Sequence, residues 1–506
     1  MLARKAFLIL STKMITAVCS FVGFYFVAHY MGAEKLGIFA AAIGFVGTLS
    51  FFTDPGLHDT HLKKINAGKD LGSCTGTFLL IKGVVILLMI LLVSIGLYVS
   101  QYASDNNFNN PVFVITVCVV LVGAVAGQIT AVFTTTFSAL LLTARQELPN
   151  FVGLISIPLR IVVAIRQMSA VALATATTIG SLLSLGASLF LARDLPFKKP
   201  SRPFIKDYFT FMTPLALGSF IGTIAKHADK VILNYFNGPI QVGYLFVAQR
   251  IVTFIDFHSV AVSKVTFPVL SKLFHQDNLT DFNALINKSQ KHILIFLAVI
   301  GTIVIVFRKE IIGIIAGGEF VDSADILAVL YLLTVVAALS RPMNYALIAI
   351  GQNKFYAKIS IMVNVITLIC YFLFIPHSLG GISLFGFEAI GAAFSMLIAN
   401  TIAMASLVIF LYLKIGYYPN RQLLAIIVVT FVTSGVLIFV KSLLGSNWYV
   451  LPFCVFVGCG FFLASGYIAG FITREELILY RNIINPNEMK NYIVSEIASI
   501  GERKGA

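Results

Sequence analysis

About fourteen long apolar stretches, separated by short polar segments, make up nearly the whole chain. Roughly 20 apolar residues, rising about 1.5 Å each along a helix, cross a hydrocarbon core about 30 Å thick. Residues 81–99 meet this requirement with Lys82 as their only charge. Because lipid leaves backbone polar groups without water, only helices and closed barrels span membranes. The pattern predicts an all-α polytopic membrane protein.

The composition supports this prediction, since 58% of the residues are hydrophobic and only 11% are charged. Soluble domains carry about 25% charged residues, so no part of the chain is expected to be a separate soluble enzyme. We predict spans at residues 7–30, 36–57, 76–100, 112–142, 151–167, 170–192, 208–236, 243–270, 289–307, 323–350, 359–376, 387–413, 422–444 and 449–472.

The net charge of +14 comes from Lys and Arg residues that lie mostly in short loops. With the N-terminus placed in the cytoplasm, most basic residues fall in inner loops and tails, and only Lys35, Arg308 and Lys309 fall in outer loops. This asymmetry follows the positive-inside rule. It predicts a plasma-membrane protein with both termini in the cytoplasm and the lipid bilayer as its surroundings. The scattered charge argues against a nucleic-acid partner.

The cysteines give no sign of a metal site, a cofactor or a disulfide framework, because no CxxC pattern occurs. Most of them lie within apolar stretches, where a free cysteine behaves as a small hydrophobic residue. The six are Cys19, Cys74, Cys118, Cys370, Cys454 and Cys459.

An internal repeat divides the chain into two halves. The pattern Gly-x4-Gly, a hydrophobic residue, x3 and Ala at residues 32–42 recurs at residues 238–248, and a basic, proline-containing segment lies between the copies. Each copy falls at the outer turn between the first two helices of its half. We predict two pseudo-symmetric six-helix lobes, with a site at their interface. The predicted units are an N-lobe at 1–192, a cytoplasmic linker at 193–207, a C-lobe at 208–413, two further helices at 414–472 and a cytoplasmic tail at 473–506.

Several spans carry a Lys or Arg, which costs several kcal/mol unless the charge faces protein or water. These residues are therefore candidate functional residues. Lys226 and Lys230 are four positions apart and share a helix face. Lys230 and Arg250 are predicted to form one outer cationic cluster around Asp229, at a depth of about 10 Å. Lys82 and Arg166 are expected to extend toward the membrane surface from the ends of their spans.

The order and spacing of several short motifs resemble those of a transporter family. They include residues 30–39 (YMGAEKLGIF), 53–57 (TDPGL), 211–215 (FMTPL), 228–233 (ADKVIL), 242–250 (VGYLFVAQR), 267–270 (FPVL) and 386–393 (GFEAIGAA). Together with Arg4 and Lys5, they resemble the polysaccharide flippase (Wzx-like) branch of the multidrug/oligosaccharidyl-lipid/polysaccharide exporter superfamily. Met31 and Leu36 depart from the usual leucine and aromatic residue, and Pro55 is unusual.

The resemblance implies a V-shaped bundle that moves a polyprenyl phosphate- or diphosphate-linked oligosaccharide from the cytoplasmic to the outer leaflet by alternating access. Related branches move peptidoglycan precursors or drugs. The expected role is export for cell-surface polysaccharide or glycoprotein assembly, alongside glycan-assembly proteins and without enzymatic activity. No sizeable outer loop is predicted that would supply the sugar chemistry of a membrane glycosyltransferase.

An anionic substrate of this kind requires a cationic path, for which the candidate residues are Arg160, Arg341, Lys226, Lys230, Arg250 and Lys264. Arg160 and Arg341 lie near the middle of their spans, each beside a proline that kinks a helix. No acid lies within one helical turn of either. We expect these two arginines to bind the diphosphate from opposite lobes, because a guanidinium donates bidentately to phosphate and stays charged when buried.

Four acids support an alternative function, a Na⁺- or H⁺-coupled drug or metabolite antiporter of the same fold. They are Asp54, Asp229, Asp256 and Glu388. For Asp229, pairing with its basic neighbours is the favoured interpretation, since buried charges are generally paired. Asp54 and Glu388 lie at helix ends, where capping is favoured. Only Asp256 lies deep in its span, and the same helix offers it Arg250 as one partner.

Overall fold

The computed structural model describes residues 2–102, 107–445 and 450–473, and this part of the chain is almost entirely helical. The helices are α1 (Leu2–Met31), α2 (Ala33–Leu49), α3 (Leu57–Asn66), α4 (Leu71–Tyr102), α5 (Pro111–Ala139), α6 (Thr143–Gly153), α7 (Ser156–Ile165), α8 (Ala170–Leu191), α9 (Arg202–Asn237), α10 (Pro239–His275), α11 (Leu279–Val306), α12 (Arg308–Ala316), α13 (Ser323–Ala349), α14 (Asn353–Phe374), α15 (Glu388–Ile415), α16 (Gln422–Leu444) and α17 (Val450–Ile468). A two-stranded hairpin of β1 (Ser378–Leu379) and β2 (Ile382–Ser383) joins α14 to α15.

The predicted all-α polytopic class is confirmed. Within the described residues, 11 helices are long and apolar enough to cross a membrane, with α6 and α7 counted together, and the bent helix α9 makes 12. Helices α1 and α2 correspond to the two remaining predicted spans. The apolar part of α1 and the whole of α2 are shorter than the helices counted above. Each predicted span therefore corresponds to a helix or to the α6–α7 pair.

Two helix boundaries differ from the sequence-based prediction. The second span was expected to reach residue 57, but α2 ends at Leu49 and a separate short helix, α3, begins at Leu57. Pro55 lacks an N–H group and Gly56 has φ of 80°, so neither residue continues the helix. The fifth span consists of α6 and α7, which are interrupted after Gly153. Pro158 cannot donate a hydrogen bond to the carbonyl of Leu154, at the interruption.

The two copies of the repeat pack against each other at one end of the bundle, which we call the turn end (residues 32–37 and 238–243). Gly32 and Gly238 precede α2 and α10 with φ of 77° and 85°. A Cβ atom on Gly37 would lie 1.7 Å from the Pro239 carbonyl oxygen, and one on Gly243 would lie 2.3 Å from the Ala33 carbonyl oxygen. Only glycine permits this backbone contact between the halves.

The opposite end of the bundle, the linker end, holds residues 193–207. The Lys198 backbone N–H donates to the Gly72 carbonyl at 3.1 Å, which holds this segment on α4. Helix α9 then bends by 63° between Arg202–Thr213 and Gly218–Asn237. Its first part contacts α3, where Lys64 pairs with Asp207 at 2.5 Å. The start of α9 is therefore tied to the first half of the chain.

Helices α16 and α17 form an additional pair, in which α16 packs on α11 and α17 packs on α16. Lys441 in α16 pairs with Glu310 in α12 at 2.7 Å. The predicted cytoplasmic tail at 473–506 lies outside the described residues, apart from Thr473.

His61 in α3 links three helices and is fully buried. Its Nε2 lies 2.9 Å from the Thr136 hydroxyl in α5, and its Nδ1 lies 2.8 Å from the Tyr208 hydroxyl in α9. The Thr136 hydroxyl donates to the Val132 carbonyl and so accepts from Nε2–H. In the neutral imidazole, Nδ1 then accepts from the Tyr208 hydroxyl, whose oxygen also lies 3.3 Å from the Cys74 carbonyl oxygen. Burial lowers the pKa of His61 to about 3, and the nearby His58 lowers it further.

We expect acidification to destabilise the protein through His61. Since its pKa is lower in the folded state, the unfolded chain binds more protons below about pH 6.5, so stability falls as the pH falls. Between pH 7 and pH 5 the loss is on the order of 2 kcal/mol. In His61→Gln, thermal unfolding measured in detergent should depend less on pH over this range. An unchanged pH dependence would contradict the assignment.

Candidate functional site

A cavity of about 750 Å³ lies between α2, α9, α10 and α13–α15. Its polar and charged lining consists of Lys226, His227, Lys230, Gln249, Arg250, Thr253, Asn364, Thr367, Tyr371 and Asn400. A second cavity, of about 230 Å³, shares Val363, Asn364 and Asn400 with the first and contains Arg341. It reaches Tyr356, close to the start of α14 at the linker end. The two cavities therefore form a path along the second half of the chain, which we call the cationic cavity.

Asp229 and Lys230 form a buried ion pair beside the cationic cavity. Asp229 is 0% exposed, and its carboxylate accepts hydrogen bonds from Lys230 Nζ at 2.9 Å and from Gln249 Nε2 at 2.7 Å. The geometry agrees with the structural interpretation of Asp229, because its charge is neutralised and its oxygens are occupied. Arg250, the expected third member of the cluster, is not bonded to Asp229; the preceding residue, Gln249, takes that place.

Arg250 projects toward the cationic cavity with its guanidinium stacked 4.9 Å from the centroid of the Phe246 ring. Arg160 in α7 lies within electrostatic reach of Arg250, and its Nε contacts the Ser156 carbonyl at 3.4 Å. Among the described residues, no carboxylate lies within 4.0 Å of either guanidinium. Two like charges from opposite halves of the chain thus repel each other, and neither forms an ion pair within the described residues.

Arg341 was expected to lack an acidic partner, but the structure places it against Asp256 in α10. Both terminal nitrogens of Arg341 contact the Asp256 carboxylate, and Ser259 contacts one of them. The sequence offered Asp256 a partner on its own helix, Arg250, but the structure does not pair the two. The pairing could not be read from either helix alone, because the two residues are 85 positions apart.

Lys226 and Lys264 are both exposed, but their surroundings differ. Lys226 lines the cationic cavity one turn before Lys230. Lys264 lies on α10 nearer the linker end and lines neither of the two cavities. Within the described chain, Lys226, Arg250 and Arg160 are the candidate cations near the interface between the halves that have no paired acid.

Asp54 and Glu388 both lie at helix starts and both contact a histidine. The Asp54 carboxylate accepts hydrogen bonds from the backbone N–H groups of Leu57 and His58, at 3.0 and 3.2 Å, and contacts the His58 imidazole. Burial raises the pKa of Asp54, but its hydrogen bonds and charge interaction with His58 outweigh this effect and lower it. Glu388 accepts from Gln241 Nε2 at 2.5 Å and lies 3.3 Å from His377 Nε2.

Lys82 was expected to extend to the membrane surface, and this expectation was wrong. Its side chain is fully buried and donates to the Thr53 carbonyl at 2.6 Å and to Gln128 Oε1 at 2.8 Å. Helix α4 begins at Leu71, earlier than predicted, so Lys82 lies roughly 16 Å along the helix and faces protein. Gln128, a polar residue within the α5 span, is the one feature of the sequence that could have indicated a buried partner for Lys82.

The family model described as polysaccharide biosynthesis protein matches residues 26–325, more than half of the chain. The chain belongs to this family. The matched region includes α2, α9 and α10, three of the helices that line the cationic cavity. The predicted resemblance to the polysaccharide flippase branch of the exporter superfamily is thereby confirmed.

Two curated relatives carry names from glycan biosynthesis. The "Probable low-salt glycan biosynthesis flippase Agl15" of Haloferax volcanii is 23% identical over 452 residues, which cover 88% of this chain and 91% of that protein. The "Capsular polysaccharide biosynthesis protein CapF" of Staphylococcus aureus is 24% identical over 204 residues, 40% of this chain and 48% of that protein.

Solved structures with the same fold include the lipid II flippase MurJ in an inward closed conformation. The TM-score is 0.72 at 16% identity, with 95% of this chain and 100% of the other covered. A multidrug resistance MATE family transporter of the MOP superfamily, in an inward-facing conformation, gives a TM-score of 0.64 at 16% identity. The alignment covers 79% of this chain and 94% of the transporter. These similarities establish the fold of the family member described here.

We expect Asp229→Asn to destabilise the protein, because the substitution leaves Lys230 buried without a carboxylate. Breaking a buried ion pair costs about 3–5 kcal/mol, whereas replacing both partners is much less costly. Thermal unfolding in detergent should therefore show a large loss for Asp229→Asn and substantial recovery in Asp229→Asn/Lys230→Met. Wild-type stability in the single variant would contradict a structural role for the pair.

Proposed function

We propose that this protein translocates a polyprenyl phosphate- or diphosphate-linked oligosaccharide across the plasma membrane by alternating access, for cell-surface glycan assembly. The observation that carries the proposal is that Arg160 and Arg250, from opposite halves, lie within electrostatic reach of each other and neither has a carboxylate within 4.0 Å in the described chain. Unpaired cations that face one another in a membrane interior are costly, and a bound anion removes that cost.

The chemistry of the lining favours phosphate as that anion. A guanidinium donates two parallel hydrogen bonds to phosphate oxygens, and Lys226 adds a further positive charge on the same side of the cavity. The amide groups of Asn364 and Asn400, farther along the path, suit sugar hydroxyls as both donors and acceptors. The prenyl chain can remain in the bilayer, so the cavity has to accommodate only the polar part of the substrate.

Alternating access is supported by the contrast between the two ends of the bundle. The turn end is closed by direct backbone contact at Gly37 and Gly243, whereas the cavity lining continues toward the linker end. If the basic linker is cytoplasmic, as the positive-inside rule indicates, the cavity is reached from the cytoplasmic side. An inside-negative potential then favours outward movement of an anion by about 2.3 kcal/mol per charge per 100 mV.

The antiporter alternative is less well supported by the acids. Asp229 and Asp256 each pair with a basic residue, and Asp54 and Glu388 hydrogen-bond near helix ends. A coupling ion would have to displace one of these partners.

The decisive variants are Arg160→Ala and Arg250→Ala. Each removes a charge-assisted hydrogen bond to phosphate, worth about 1.5–3 kcal/mol, so the initial translocation rate should fall by about tenfold or more. Purified protein in proteoliposomes is given a fluorescent polyprenyl-diphosphate oligosaccharide, and its accessibility to a membrane-impermeant reagent is followed. Arg341→Ala tests separately whether the Asp256-paired arginine also contributes.

Arg166→Ala is the matched control, since Arg166 is exposed at the end of the same helix as Arg160. It should leave translocation unchanged. Wild-type rates in both Arg160→Ala and Arg250→Ala would refute phosphate binding by these arginines. Failure of folded wild-type protein to translocate the substrate under any imposed ion gradient would favour the antiporter function.

Gly37→Ala tests the closure of the turn end, because the added methyl group overlaps the Pro239 carbonyl and forces the halves apart. The reporter is a cysteine introduced by Thr253→Cys, in the cavity lining, into a variant that lacks the native cysteines. In intact cells, an impermeant maleimide added outside should label this cysteine several-fold faster when Gly37→Ala is also present. Gly127→Ala is the control, since its Cβ would meet nothing within 4 Å. Equal labelling rates would show that this contact does not close the cavity.

A further inference from the structure

A groove of about 610 Å³ runs along the outer face of α4, away from the residues that line the cationic cavity. One wall consists of Leu79, Leu80, Val84 and Leu87, which are 38%, 46%, 59% and 68% exposed. Gly83 lies among them, and a Cβ at this position would meet nothing within 4 Å. The missing side chain therefore deepens the groove halfway along its length.

The other wall is the linker, which is fixed tightly to α4. A Cβ on Gly76 would lie 2.0 Å from the Lys198 carbonyl oxygen, so the linker backbone lies directly on the helix. Lys198 also pairs with Asp70 at 2.8 Å. Hydrogen bonds from Lys198 and Ser73 lower the pKa of Asp70 to about 2, so this pair is ionised at neutral pH.

The linker end of the groove is cationic. Lys198 and Lys199 both line it and both are exposed, with Phe197 and Pro200 beside them. Asp70 neutralises at most one of the two ammonium groups, and among the described residues no carboxylate lies within 4.0 Å of Lys199. One apolar channel with an excess of positive charge at its membrane-surface end matches a lipid with an anionic headgroup.

The length of the groove identifies the kind of lipid. From Gly76 to Leu87 the helix rises roughly 16 Å, close to half of the hydrocarbon thickness of about 30 Å. A chain that begins at the lysines would end near the bilayer centre, as the acyl chain of an ordinary phospholipid does. A long polyprenyl chain would extend well beyond it.

We propose that the groove between α4 and residues 197–200 is a binding site for an anionic phospholipid of the leaflet at the linker end. The phosphate lies at Lys198 and Lys199, and one acyl chain lies against Leu80, Val84 and Gly83. The bound lipid bridges α4 and the segment that connects the two halves of the chain. It therefore holds the linker on the first half independently of the substrate that the cationic cavity carries.

The test compares two lipids on the intact protein. Purified protein in detergent is titrated with phosphatidylglycerol or phosphatidylcholine, and binding is followed by native mass spectrometry and by the thermal unfolding midpoint. Wild-type protein should retain phosphatidylglycerol preferentially. Lys198→Gln/Lys199→Gln should weaken its apparent affinity at least several-fold, and Gly83→Phe, which adds a bulky side chain in the groove where a Cβ meets nothing within 4 Å, should do the same.

Two controls separate the site from general lipid adsorption. Lys206→Gln removes an exposed lysine outside the groove, and Gly127→Phe adds the same bulk at an open glycine of α5; both should bind phosphatidylglycerol as wild type does. Asp70→Asn frees Lys198 and should strengthen binding. Loss of binding in the lysine variant but not in Gly83→Phe would refute the groove. Displacement of phosphatidylglycerol by a lower concentration of polyprenyl phosphate would instead assign the groove to a prenyl chain.

Discussion

A charge in the membrane interior has to be neutralised by a partner or exposed to water, and the arrangement of this protein depends on how each interior cation meets that requirement. Lys230 is neutralised by Asp229, and Arg341 by Asp256. The first pair lies within α9, where Gln249 of α10 also donates to Asp229, and the second joins α13 to α10. Arg250 has no such partner in the described chain and is stacked on Phe246. The cavity therefore combines neutralised structural cations with cations that are available to an anion.

The closure of the turn end has a different physical basis, which is the absence of side chains. Helices α2 and α10 approach so closely that Gly37 and Gly243 lie against each other's neighbouring carbonyl groups. This contact is reciprocal, as the internal repeat requires, because equivalent positions of the two halves meet on a pseudo-two-fold axis. At the linker end the same halves are joined differently, through the contacts of α9 with α3 and of the linker with α4. The cavity is therefore closed at the turn end, and its lining continues toward the linker end.

Much of the fold was predictable because a membrane span is recognised from local hydropathy. Every predicted span has its helix, and the glycine repeat correctly indicated where equivalent turns lie. Details that depend on helix ends were less predictable. The earlier start of α4 buried Lys82, which had been expected to reach the surface, and its partners Thr53 and Gln128 come from 29 and 46 residues away. The break between α6 and α7 lies one turn before Pro158, which lacks the N–H group that would bond the Leu154 carbonyl.

By itself, the sequence determined the membrane-spanning helices, the two-fold organisation of the chain and the excess of basic residues in its interior. These properties depend on runs of neighbouring residues. The Asp229–Lys230 pair joins adjacent residues and was expected from the sequence, but only the tertiary structure decided the partner of Arg341, because an ion pair requires two side chains within about 4 Å and this partner lies on another helix. Asp256 pairs with Arg341 across 85 positions rather than with Arg250, six positions away on its own helix. That choice leaves Arg250 with no carboxylate within 4.0 Å among the described residues.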